Sequence, residues 1–371
     1  SPELAAPPPP PDALGTPAVK PPLSPPTPLL PAAPAEPALE AVPPNLQSLI
    51  PGYILTHKLG SGGFATVYRG VNQKGLHVAV KVPKHLEGTV DMKVLENFKA
   101  ESEIWRKLKH KNIVNFYKGD IRPVPYMVIE YMEGGNLLKF LKGEPLPMDK
   151  ALTYIEGILS GLAYAHRMAS VHRDIKPENI LFTKDDVPKI SDWGIGKFMA
   201  SESVSKTIGT KGTLIYSAPE QVSQERYGEV DWSTDVFQIG IVFYEILTGR
   251  NPFAAPDPIG IINKIVNDNP PRPSSLRWGI PPEIDNIIMR SLEKRKENRY
   301  NSADVMLHEM KRVLKEREKN LEHYKSMLKN SMKAGTGSAE QDAMLEGFRE
   351  RYGISMVEHS SMMMELMGIS V

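Results

Sequence analysis

The sequence predicts an α+β fold of two lobes, a small β-rich N-lobe with one key helix and a larger helical C-lobe. Three observations lead there. Strand-like alternation dominates between residues 53 and 130. A single helical stretch, 91–109, interrupts it. Beyond residue 149 helical periodicity takes over, so strands come first and helices later.

Residues 1–50 hold 17 of the 34 prolines and show no period, which reads as a disordered, proline-rich linker. Its PxxP-like spacing could also dock another domain. From Gly52 the composition becomes globular. "YILTHKLG", "ATVYRGV" and "LHVAVKV" alternate as strands, and a strand pair over 114–130 ends in "MVIEYM". "MEGGNLL" is the joint between lobes. In "MDKALTYIEGILSGLAYAHRM", Leu152, Ile155, Leu159 and Leu162 form one stripe. Further helices are expected at 231–248, 282–293 and 302–329. The expected domains are thus 1–50 (linker), 51–131 (N-lobe), 132–315 (C-lobe) and 316–371, a helical extension. In that extension "GFRERYG" and "MMMELMGI" read as short amphipathic helices, their methionines an adaptable packing surface.

The totals exclude several classes. With 45 basic and 44 acidic residues in 371, nothing favours nucleic acid or an anionic membrane. The absence of cysteine excludes disulfides and thiolate chemistry and suits a reducing, cytoplasmic setting. No apolar run approaches the roughly 20 residues that cross a bilayer. The chain begins with Ser1 and shows no signal peptide, as a cytoplasmic part of a longer protein would.

"KLGSGGFATVYRG" sets Gly60, Gly62 and Gly63 between two strand-like segments. A dinucleotide fingerprint needs a helix to follow, and no GxxxxGK[ST] is present. The glycines mark either a plain hairpin turn or a backbone that approaches phosphates. In "HVAVKV", Val78, Val80 and Val82 share one face, and Ala79 and Lys81 the other. Lys81 is either an edge-strand lysine or a buried one that needs a partner. Phe98, Glu101, Trp105 and Leu108, spaced 3, 4 and 3, put Glu101 on the apolar face of a helix and Glu103 off it. Lys81 with Glu101 would satisfy both. In "VHRDIKPENILF" and "KISDWG", Asn179 and Asp192 suit a hard cation such as Mg²⁺. Asp174 can accept a hydroxyl proton, and Lys176 can offset charge on a transferring phosphoryl group.

Together these motifs resemble a eukaryotic-type (Hanks-type) serine/threonine protein kinase over about residues 53–315: GSGGFATV, VAVK, HRDIKPEN, DWG and APE, in order. The resemblance implies an ATP- and Mg²⁺-dependent enzyme that phosphorylates Ser/Thr hydroxyls of protein substrates and its own activation segment. It implies that Gly60, Gly62 and the amides that follow cover the ATP phosphates, that Leu59, Ser61 and Gly63 also belong to the nucleotide-binding set, and that Val67 and Ala79 roof the adenine. Glu130 and Met132 would offer backbone hydrogen bonds to the base, behind Ile129 as gatekeeper. Lys81 would hold phosphates and pair with Glu101. Asp174 would be the catalytic base, with Lys176 at the γ-phosphate and Asn179 and Asp192 at the metal. Residues 192–220 resemble an activation segment, with Thr213 fitting a Ser/Thr acceptor. Ser205, Thr207 and Thr210 are candidate phosphosites answering to Arg173, and Glu220 is expected to pair with Arg299.

The chain departs from the pattern at Ala65 (usually the third glycine), Trp193 (usually Phe) and Phe237-Gln238 (usually Trp-Ser). None removes a group the chemistry needs. A nucleotide-binding pseudokinase scaffold usually lacks the lysine or an aspartate, all retained here. A small-molecule phosphotransferase would lack the APE-type segment.

Overall fold

The computed structural model describes residues 40–62, 65–84, 92–122, 124–193, 214–333 and 339–368. Residues from Glu40 onward form one compact unit. Two lobes follow one another along it, as the alternation-then-periodicity pattern predicts.

The smaller lobe is a five-stranded antiparallel sheet of β1 (Tyr53–Ser61), β2 (Ala65–Asn72), β3 (His77–Pro83), β4 (Phe116–Asp120) and β5 (Tyr126–Glu130), in the order β1-β2-β3-β5-β4. β3 is therefore central, and the edge-strand reading of Lys81 fails. Both faces of β3 are covered. Val78, Val80 and Val82 enter one core with Tyr126 and Val128, while Ala79 joins a second core with Phe98, Trp105 and Ile129. That second face is sealed by the helix Met92–Lys107, which buries Phe98, Glu101 and Trp105 and leaves Glu103 exposed, with Leu108 buried just past its end. The Trp105 indole N–H donates to the Val114 carbonyl at 2.7 Å and anchors the helix end to the following loop.

The expected linker boundary at residue 50 is too late. A helix, α1, runs Pro44–Leu49 with proline at its first position, where its fixed φ and missing N–H cost nothing. Leu46 and Ile50 are buried in the outer core of the sheet. Gln47 clasps the start of β1, accepting from Leu55 N at 2.7 Å and donating to Tyr53 O at 2.9 Å. The proline density of residues 1–50 masks this helix, although Pro43 and Pro44 stand at its start.

In the larger lobe the central helices are Met148–Arg167 and Trp232–Thr248. The second is apolar nearly all round, as a helix surrounded by others must be. A three-stranded sheet, Gly135–Asn136, Ile180–Phe182 and Pro188–Ile190, lies at the lobe junction. The helix Pro258–Asn267 was not expected. Its signal was present, since Asp257 caps Gly260 N at 2.9 Å just ahead of Pro258. Pro282–Ser291 matches the expected helix there.

One helix, Ala303–Lys333, runs unbroken across the expected 315/316 boundary. Its packing partner nevertheless changes along its length. Met306, Met310 and Val313 belong to the core of the larger lobe. Tyr324 and Leu328 form a separate small core with Ile354, supported by Phe348, Met362 and Met363 from the helices Ala339–Arg351 and Met356–Leu366. Among the described residues no helix is long and apolar enough to cross a membrane.

Candidate active site

The register of the small sheet draws the first part of the site. Gly60 lies opposite Val67, Val67 opposite Lys81, and Lys81 opposite Met127, one row across four strands. Ala79 pairs with Ile129 in the same sheet. Leu59, Ser61 and Gly62 lie at the exposed end of β1, while Gly63 falls outside the described residues. A Cβ built on Gly60 would meet nothing within 4 Å, and one on Gly62 only Ala65 O at 3.9 Å. Neither has a positive φ. The chain's own packing therefore does not demand glycine at either position.

Lys81 is the meeting point. Its Nζ donates to Glu101 Oε1 at 2.7 Å and to Asp192 Oδ1 at 2.8 Å, joining the central strand, the small-lobe helix and the larger lobe. Burial alone would lower the Lys81 pKa, but the charges of Asp192 and Glu101 outweigh it and hold the ammonium above its ordinary value. The two carboxylates diverge. Burial pushes Glu101 up despite Lys81. Asp192 is half-buried, and although that burial opposes its charge the Lys81 ammonium brings it below its usual range. The Asp192 side chain is 27% exposed against 7% for Glu101, so the less desolvated partner keeps the charge more readily.

The second part is a loop held from beneath. Asp235, fully buried in the helix Trp232–Thr248, accepts from the backbone N–H of His172 (2.9 Å) and Arg173 (2.7 Å) and from the His166 ring (2.9 Å). Gln238 accepts from Ile175 N at 2.9 Å and donates to Arg173 O at 3.0 Å; Gln221 donates to the same carbonyl at 2.8 Å. Such clamping fits Arg173, a non-glycine residue at φ 70°. The unusual Gln238 thus does structural work that its sequence position did not reveal. On this support Asp174 Oδ2 lies 2.8 Å from Lys176 Nζ, and Asn179 Nδ2 donates to Asp174 Oδ2 at 3.0 Å and to its carbonyl at 2.8 Å.

Ser191 joins the two parts. Its N–H and Oγ donate to Asn179 O at 2.9 and 3.1 Å, and Oγ also reaches Asp192 Oδ2 at 3.3 Å. Asp192 is itself at φ 62°. Trp193 fills the space behind it, fully buried with its ring edge-on to His172 at 4.7 Å. Among the described residues no group of three or more His, Cys, Asp or Glu forms a closed metal cage. A carboxylate and a side-chain amide are a donor set that fits Mg²⁺, which keeps waters and takes phosphate oxygens as further ligands.

Glu130 ends β5 and Met132 follows it in the joint, buried at 8% exposure. The Glu130 carboxylate, which sequence reasoning passed over, accepts from Lys189 and Asn115. Glu220 and Arg299 pair as expected. Ser205, Thr207, Thr210 and Thr213 lie outside the described residues.

Residues 53–310 match the family model described as the protein kinase domain. A probable serine/threonine-protein kinase of Clostridium acetobutylicum is 37% identical over 264 residues, covering 70% of this chain and 40% of that protein. The serine/threonine-protein kinase PknL of Mycobacterium bovis is 33% identical over 267 residues, 71% of this chain and 66% of its own length. PknB of Mycobacterium leprae is 33% identical over 280 residues, 73% and 44%. The chain thus spans less than two thirds of each of these relatives. Its motifs, its two-lobed fold and this match agree, and the chain belongs to the protein kinase domain family.

Proposed function

We propose that this chain is a serine/threonine protein kinase that transfers the γ-phosphoryl group of ATP to protein hydroxyls, including its own. The observation that carries the reading is Lys81, bonded at once to Glu101 and Asp192 across the lobes, with Asp174, Lys176 and Asn179 gathered beside them.

In this reading Lys81 neutralises non-transferring phosphates and Glu101 fixes its position. Asp174 orients the acceptor hydroxyl and takes its proton. Lys176 spreads the charge of the transferring group. Asn179 and Asp192 would hold Mg²⁺, which shields phosphate charge when bound. Gly60 and Gly62 leave open backbone where phosphates must come close, and Leu59, Ser61, Gly63, Val67 and Ala79 complete the nucleotide cover. The backbones of Glu130 and Met132 receive the base. Arg173 Nε is buried without a hydrogen-bond partner among the described residues, and a phosphate on Ser205, Thr207 or Thr210 would supply one. A cysteine-free chain that consumes ATP suits the cytoplasm. The proline-rich segment serves as a spacer, with its PxxP spacing a second use in docking.

Incubation with ATP and Mg²⁺ followed by phosphosite mapping tests the proposal. Modified Ser or Thr residues that vanish on chelating Mg²⁺ are expected. ATP binding with no phosphate incorporated would favour the pseudokinase scaffold instead.

A further inference from the structure

Asp174 is held at its side chain by groups that have other work in the reaction. Lys176 Nζ lies 2.8 Å from its carboxylate and Asn179 Nδ2 3.0 Å. The reading above gives Lys176 to the transferring phosphoryl group and Asn179 to Mg²⁺. Both side chains therefore answer to ATP·Mg²⁺ as well as to Asp174. Support that does not depend on the nucleotide has to reach Asp174 through its backbone.

Asp174 stands between two peptide groups, one shared with Arg173 and one with Ile175. Among the described residues one side chain bonds both. Gln238 Nε2 donates to Arg173 O at 3.0 Å, on the first peptide, and Gln238 Oε1 accepts from Ile175 N at 2.9 Å, on the second. Peptide groups are planar, so holding the planes on either side of one Cα fixes its φ and ψ and the direction of its Cβ. Asp235, one turn earlier on the same helix, grips only the peptides upstream, through His172 N and Arg173 N. His172 Nδ1 accepts from Asp174 N at 3.2 Å and so touches the first peptide alone. Asn179 Nδ2 reaches Asp174 O at 2.8 Å and so touches the second alone.

Gln221 completes the grip. Its Nε2 donates to the same Arg173 carbonyl at 2.8 Å, and its Oε1 accepts from Gln238 Nε2 and from Ala218 N, each at 2.9 Å. Arg173 O thus takes two amide donors, one for each lone pair. Arg173 is at φ 70°, a conformation that persists only where the surroundings hold it. Gln238 is 2% exposed, so solvent cannot replace its bonds. A serine at 238 would be two bonds shorter with a single oxygen, too little to span both peptides.

We infer that Gln238, backed by Gln221, is a positioning residue for Asp174, fixing the backbone from which that carboxylate meets the acceptor hydroxyl; this rests on the kinase reading proposed above. In that reading Gln238 touches neither the nucleotide nor the acceptor and acts through Asp174 alone. Its loss therefore falls on the transfer step and leaves nucleotide affinity in place.

The test is transfer of labelled γ-phosphate from ATP·Mg²⁺ to casein and to the chain itself, giving kcat and KM for ATP, with calorimetric titration of ATP·Mg²⁺ in parallel. The full chain is compared with Gln238→Met, which keeps the length and loses every polar contact, with Gln221→Met, with Asp174→Ala, and with Asp174→Ala combined with Gln238→Met. Gln238→Met should lower kcat about tenfold, while ATP affinity and KM for ATP hold within about twofold. Gln221→Met, which leaves Gln238 in place, should lower kcat about threefold. In the Asp174→Ala background Gln238→Met should change the rate by less than about twofold, since no carboxylate is left to position. A glutamine with a merely structural role would give the same loss in both backgrounds. Undiminished kcat in a folded Gln238→Met chain, a loss of ATP affinity as large as the loss of kcat, or losses that add in the double variant overturns the inference alone. If Gln238→Met does not fold, Gln221→Met decides, and a kcat equal to the parent's overturns the inference. A parent chain that transfers no phosphate overturns the kinase reading and this inference with it.

Discussion

Arg299 closes two nitrogens on the carboxylate of Glu220, at 2.8 and 2.9 Å, with both side chains sealed from solvent. Thr234 Oγ1 adds a third donor to Glu220 at 2.7 Å, and the rest of the guanidinium bonds the carbonyls of Ser233, Glu293 and Lys294. This ties the start of the helix Pro219–Val222, where the segment that resembles an activation segment ends, to the base of the larger lobe. A buried pair this well satisfied is costly to halve, whatever its net worth against an apolar pair. Arg299→Leu should lower unfolding free energy by about 3–5 kcal/mol. Glu220→Met combined with Arg299→Leu should recover much of that loss. Urea denaturation of the single and double variants is the check, and a single variant as stable as the parent would contradict the burial argument.

Ile50, at 1% exposure, plugs the outer core of the small sheet beside Leu46. Ile50→Ala should cost about 2–4 kcal/mol, as for other large-to-small core changes. An exposed linker residue would cost nothing, so denaturant midpoints decide whether residues 40–50 belong to the fold.

Lys294 lies 4.2 Å from the centre of the Phe253 ring and 5.7 Å from that of Phe237. Burial, then the nearby charge of Arg299, pull its pKa down from 10.5 to about 8. For a base lowered on folding, the unfolded chain binds the extra proton between those values. The contribution of Lys294 to stability therefore rises as pH increases from about 8 to 10.5. Below that window its burial is a penalty, reduced by partial exposure and by the ring's attraction. Lys294→Met should stabilise by about 1–2 kcal/mol at pH 7, and the gain should vanish by about pH 10.5. Paired melts at the two pH values measure it; a gain that grows with pH would show the sign to be wrong.

Lys81 and Glu101 were legible because each broke a local rule, a charge in an apolar strand and a charge on an apolar helix stripe. Their 2.7 Å bond is the resolution of both conflicts. The bond from Lys81 to Asp192 spans 111 positions, and no periodicity reports such a contact; the resemblance assigned both residues to one nucleotide site without pairing them. The side chains of Glu130, Asn115 and Lys189 were missed for a related reason. Each is ordinary in its own segment, and their meaning arises only when three distant segments meet. The helix at Pro258–Asn267 was hidden by the prolines around it, although Asp257 and Pro258 form a helix start. The same proline bias hid α1.

The measurement that bears most directly on the central claim is transfer of labelled γ-phosphate from ATP·Mg²⁺ by the parent chain and by Asp174→Ala, with nucleotide affinity determined for both. The account predicts that the parent incorporates label into Ser or Thr, and that Asp174→Ala binds ATP with similar affinity yet incorporates at least about 100-fold less. Undiminished incorporation by a folded Asp174→Ala chain would contradict the assignment of that carboxylate, and with it the site built around it.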